Sequence, residues 1–179
     1  ITVDNWIPIG GIDGNEDKGF NGTFDGNGYT ITINSFDMDL DNTRVGLFGM
    51  IADEGVVKNL RIAGSVKYIG GQKYLYIGGI AGLNNGLITC CASSINLNCD
   101  YVKAEKEKKI KSEFVYEVGN FGGGIAGINL GMITHCYSIG TIYIRQGYAG
   151  GIVAGHGKGV KGSFGISVGS GGGVGVSMG

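Results

Sequence analysis

Residues 78–91 read GGIAGLNNGLITCC and residues 123–136 read GGIAGINLGMITHC, nearly one pattern written twice, 45 positions apart. Such a repeat constrains the fold strongly, because each copy must occupy an equivalent place beside its neighbours. Placing Gly79 on Gly124 superposes Gly82 on Gly127, Asn84 on Asn129, Gly86 on Gly131, Ile88 on Ile133 and Cys91 on Cys136. A weaker copy occupies 46–66, where Gly55, Val57 and Leu60 match Gly86, Ile88 and Cys91. A decayed copy follows at 150–168. The 27 residues from Gly124 to Gly151 approximate the unit once an intervening excursion is set aside.

Every copy alternates short apolar runs with glycine turns, and none holds a periodic stretch long enough for an amphipathic helix. Composition agrees, with 38 glycines, a single proline and 42% apolar residues. Glycine at this level penalises helices. The lack of a Gly-X-Y period with proline excludes collagen, and the apolar content argues for burial rather than disorder. One unit cannot bury its own apolar face, so it must stack on its neighbours. The fold class read from this is all-β, a parallel β-helix (solenoid) whose coils pair their strands about 4.8 Å apart. Val57, Ile88 and Ile133 then form one inward column, and Leu60, Cys91 and Cys136 a second. Gly55, Gly86 and Gly131 form a corner column where the backbone either needs positive φ or has no room for a Cβ.

Residues 1–45 depart from the repeat and read as an N-terminal cap and entry coil. Trp6, Phe20 and Phe24 are its apolar plug, and Tyr29–Ile33 is a half-buried alternating strand. Residues 46–168 are the coils, with a last one running through Phe164–Val168 and an inserted excursion at 101–118. Residues 169–179 read as a glycine-rich flexible tail.

Few residues carry a chemical signal. A net charge of −1 gives no field that gathers nucleic acid, and no nucleic-acid partner is expected. No apolar run approaches the length of a membrane span. Asp13, Asn15 and Asp17 alternate as in a calcium loop, yet Lys18 replaces the glycine such a loop requires and Phe24 its closing glutamate. Asp37, Asp39 and Asp41 share one strand face without a basic partner, so both acidic stretches read as solvated turns and no metal or other cofactor is expected. His135 lies one copy away from Cys90, a superficial nucleophile and base. Neither an orienting group nor an oxyanion loop accompanies them, and corner packing is the reading. Cys91 and Cys136 are near enough for a disulfide if the coils stack, and equally suited to packing as free thiols. The excursion carries Lys103, Lys106, Lys108, Lys109 and Lys111, a candidate ligand surface, though a charge run is usually a solvated face.

The stretches WIPIGG, FNGTFDGNGYTI, VGLFGMI and VVKNLRIAGSV, with the two GGIAG-x-N-x-G-x-I copies, resemble the GLUG-motif repeat family. That family comprises glycine-rich repeats of large bacterial surface and secreted proteins, including adhesin-like proteins and some immunoglobulin A1 proteases. The resemblance covers about residues 5–153. It implies a right-handed parallel β-helix presented outside the cell, usually as part of a longer chain. The family's I-x-N-C stretch keeps its asparagine at Asn59, whereas Cys90 and His135 replace it in the later copies.

The expected role is therefore non-enzymatic: an extracellular or cell-surface solenoid acting as adhesin-like stalk, filament subunit or display scaffold. Its expected partners are further copies of itself or other surface proteins, with glycans as a further class. The alternative is a carbohydrate-binding or carbohydrate-active β-helix with the 101–118 insertion lining its groove. Polysaccharide-cleaving β-helices place paired carboxylates on one strand face, and the repeated strands here hold apolar residues, Gly, Ser, Thr or Cys instead.

Overall fold

The computed structural model describes residues 1–11, 18–36, 44–70, 75–101, 120–145, 147–156, 166–168 and 174–176. Those residues contain no α-helix, and so no helix long and apolar enough to cross a membrane. Most of their strands are short because glycine turns interrupt the apolar runs, while two on one face reach ten residues.

Among the described residues four parallel sheets form, and the chain visits them in rotation. The first face stacks β1 (Thr2–Val3), β3 (Thr30–Ile33), β7 (Arg61–Gly70) and β11 (Ala92–Tyr101), followed by β15 (Tyr137–Ser138) and β16 (Ile142–Ile144) on the same edge of β11. The second holds β4 (Arg44–Val45), β8 (Tyr76–Gly78), β12 (Asn120–Gly123) and β17 (Gly147–Gly150). The third holds β5 (Phe48–Ile51), β9 (Ala81–Asn84), β13 (Ala126–Asn129) and β18 (Val153–His156). The fourth holds β2 (Thr23–Asp25), β6 (Val56–Lys58), β10 (Leu87–Thr89) and β14 (Met132–Thr134). Every pairing in these four sheets is parallel, as when a chain winds past itself and returns one strand further along.

Register follows the repeat. On the fourth face Phe24, Val57, Ile88 and Ile133 are successive Cα partners. Each is the middle residue of a three-residue strand and points inward, Val57 and Ile88 being fully buried. On the first face β11 alternates cleanly, with Ile95, Leu97 and Cys99 buried and Ser94, Asn96 and Asn98 exposed. One contiguous core runs through the middle of the stack, from Phe36 and Phe48 to Ile125 and Ile152.

The pairing reaches back into residues 1–45: Thr2 pairs with Thr32, Thr30 with Arg61, and Arg44 with Tyr76. Trp6 donates its indole N–H to Leu47 O at 3.0 Å, and Phe20 and Phe24 lie 4.8 and 5.6 Å from the Phe48 ring. At the other end, β19 (Ile166–Val168) joins none of the four sheets. It pairs antiparallel with β20 (Val174–Val176), so the segment expected to be a last coil is a hairpin strand, and part of the expected tail is its partner.

The corner glycines answer to space rather than to dihedral angle. A Cβ on Gly86 would collide with Gly55 O and come within 2.5 Å of Ala52 O, while one on Gly131 would collide with Gly86 O. The left-handed residues sit a few positions later, at Asn59, Cys90 and His135, with φ of 52°, 53° and 53°.

Candidate functional site

Those three residues form the turn by which the chain leaves the fourth face and enters the first. Because the coils are in register, the turns stack, and beneath them lie Asn27 (φ 48°) and Gly28 (φ 77°) of the entry coil. The outward positions opening the first-face strands are Thr30, Arg61, Ala92 and Tyr137, in that order. Small Ala92 between Arg61 and Tyr137 leaves a notch. The result is a groove of about 340 Å³ along the corner, lined by Asn27, Gly28, Asn59, Arg61, Cys90, Cys91, Ala92, His135 and Tyr137.

Asp25 organises the lower end of the groove. Its Oδ1 accepts the Asn27 backbone N–H at 2.9 Å and the Asn59 side-chain amide at 3.0 Å, and Lys58 Nζ lies 3.4 Å from its Oδ2. The Asn27 and Asn59 donors, aided by Lys58, hold its carboxyl below the usual range. At the upper end, the Thr89 hydroxyl donates to Cys90 Sγ at 3.7 Å, and Thr134 Oγ1 lies 2.8 Å from His135 Nδ1. Cys90 and His135 thus occupy successive coils, as the repeat implies, but each bonds to the threonine before it. No hydrogen bond joins the two among the described residues.

Behind this wall, Cys91 and Cys136 point into the core. Cys91 Sγ donates to Thr89 O at 3.1 Å and approaches Val57 O at 3.8 Å; Cys136 Sγ does the same to Thr134 O at 3.2 Å and Ile88 O at 3.8 Å. The two thiols titrate as a pair: the neighbouring Cys136, together with burial, raises the Cys91 pKa, and the neighbouring Cys91 lowers that of Cys136. Both are free thiols, as are Cys90 and Cys99. Burial, with Asp100 adjacent, pushes the Cys99 thiol up to about 12.

Two features went unread in the sequence. Asn84 and Asn129 are fully buried and stacked, with Asn84 Nδ2 donating to Asn129 Oδ1 at 2.6 Å. Their signal was the aligned asparagine of the two GGIAG-x-N copies. The second is an aromatic ladder on the outside of the second face, where Phe121 packs edge-on to Tyr76 at 5.8 Å and stacks on Tyr148 at 5.0 Å. Its members fall 45 and 27 residues apart, and no shared motif flags them.

The lysines 103, 106, 108, 109 and 111, the Asp13–Asn15–Asp17 turn and the Asp37–Asp39–Asp41 stretch lie outside the described residues. Among the described residues, no three His, Cys, Asp or Glu side chains are grouped to hold a metal ion.

No family model and no solved structure matches the chain. A curated protein of Evansella cellulosilytica, named "Putative Gly-rich membrane protein", is 37% identical over 83 residues. The match takes in 46% of this chain and 9% of that protein, so the chain corresponds to a small part of a far longer relative.

Proposed function

We propose that this chain is a non-catalytic β-solenoid segment of a secreted or cell-surface protein, serving as adhesin-like stalk, filament subunit or display scaffold. In this reading it winds as a right-handed parallel β-helix of the GLUG-motif kind, with residues 1–45 as its entry cap. The observation that carries the proposal is the unbroken register from Phe24 through Val57 and Ile88 to Ile133. A chain that adds about 4.8 Å of length per coil spends its sequence on distance, which is what a stalk or display element requires. The glycine-rich relative, named as a membrane protein and much longer than this chain, supports presentation at a cell surface.

Self-association is the partner reading. Among the described residues, the exposed large apolar side chains are confined to Ile1, Ile7 and Tyr29 near one end, and to Leu130, Met132, Tyr137, Ile139, Tyr143 and Tyr148 near the other. The corner groove, with an exposed tyrosine, an arginine and a histidine, favours glycans as a second partner class.

The test is surface labelling of intact cells producing the natural full-length protein, with a membrane-impermeant amine reagent. Labelling of lysines in this segment before lysis is expected. Labelling only after lysis, or release of reducing sugars from polysaccharides by the purified chain, ends the proposal.

A further inference from the structure

We propose that Cys91 and Cys136 are a disulfide-forming pair, oxidised by exchange with a low-molecular-weight disulfide, and that the bond clamps adjacent coils to each other. The geometry is independent of the stalk reading, which decides only whether the compartment supplies the oxidant. Thr89 pairs with Thr134 and Ala92 with Tyr137, so the register brackets the two cysteines on both sides. Tyr137 N donates to Cys91 O at 3.2 Å, which closes the ladder across them. Their Cα atoms are therefore about one strand spacing apart, roughly 4.8 Å, inside the window of about 4.4–6.8 Å that disulfides use. Both sulfurs point to the same side of the backbone, each bonded to the carbonyl two residues earlier.

The pairing is selective. Below Cys91 in the same column stands Leu60, so the sulfur ladder has two rungs only. Cys90 turns out to Thr89, and Cys99 pairs across the first face with Ile144. Access is asymmetric: Cys136 is partly exposed and Cys91 is buried but borders the corner groove.

The exchange begins when the Cys136 thiolate attacks one sulfur of the small disulfide, forming a mixed disulfide and expelling one thiolate. Cys91 then attacks the Cys136 sulfur and expels the second. The two protein protons pass to the leaving thiolates, so two thiols and one disulfide give one protein disulfide and two small thiols.

The experiment uses the full chain, reduced, then incubated with oxidised glutathione and digested with trypsin. No lysine or arginine lies between Lys73 and Lys103, so Cys90, Cys91 and Cys99 share one peptide while Cys136 lies in another. The variants Cys90→Ser, Cys99→Ser and Cys91→Ser assign the partner. Joined peptides are expected in the wild type, Cys90→Ser and Cys99→Ser, and their loss in Cys91→Ser and Cys136→Ser. The oxidised chain should also melt roughly 5–15 °C higher than the reduced one. Reduced Cys136→Ser, compared by circular dichroism with the reduced wild type, serves as the folding control. Glutathione adducts on Cys90 alone, or joined peptides that survive Cys91→Ser, would overturn the pairing.

Discussion

Asn59, Cys90 and His135 hold the same left-handed turn, a conformation that asparagine and histidine adopt more readily than cysteine. Cys90 carries strain that its neighbours must offset. Replacing Cys90 by asparagine should therefore stabilise the chain by about 0.5–1 kcal/mol. Gly86→Ala should cost about 2 kcal/mol or more, because the new Cβ meets the carbonyls of Gly55 and Ala52, which belong to the backbone and cannot swing away. Urea unfolding of the reduced proteins checks both, and a neutral or destabilising Cys90→Asn would refute the strain argument. Here the sequence was half legible. Glycine spacing located the crowded corner, because absence of a side chain is visible in the letters. Dihedral angle is not visible: cysteine and histidine drew notice as chemical groups, while their shared property is the turn they are forced to make.

At the scale of the strand, the paired asparagines on the third face are the sharpest departure from an apolar interior. Asn84 donates to Asn129 and also lies 3.3 Å from the carbonyls of Gly86 and Met132, and Asn129 donates to Gly131 O at 3.1 Å. Even so, Asn84 Oδ1 is buried without a partner. The preceding coil holds Ile51 in that register, so the corner accepts an aliphatic residue. Asn129→Ile alone should cost about 1–3 kcal/mol, since it removes the shortest acceptor of the buried Asn84 amide and leaves it only the two longer carbonyl contacts. The double variant Asn84→Ile/Asn129→Ile should cost less than the two single losses added together. Strict additivity in a double-mutant cycle by urea unfolding would mean the ladder contributes no coupling. The repeat aligned these residues correctly, but a sequence such as Asn-Asn-Gly reads as a surface turn, and only the third dimension turns its first asparagine inward.

For the molecule as a whole, a stack in which each coil touches only its neighbours should lose structure from its ends. Burial follows that logic. Cys91, Leu97, Cys99 and Ala126 are nearly inaccessible, whereas their partners one coil on, Cys136, Ile142, Ile144 and Val153, are only partly covered. Likewise Phe121, held between two tyrosine rings, is 5% exposed, and Tyr148 at the end of the ladder is 58% exposed. The parallel, in-register stacking of the copies was legible from the offsets between them, but the number of faces each coil visits was not. The partners of the strands in residues 1–45 were not legible either, because Thr30 on Arg61 and Arg44 on Tyr76 pair through backbone alone and share no side-chain type. Hydrogen exchange read by mass spectrometry should find β7, β9 and β11 most protected, with protection falling toward β16, β17 and β18. A middle-coil substitution such as Ile88→Ala should lower protection throughout, at a cost of about 2–5 kcal/mol. Tyr148→Ala should act on the last coil alone. Equal protection in all coils, or a global response to Tyr148→Ala, would mean that the chain unfolds as one block and that stability does not pass from coil to coil.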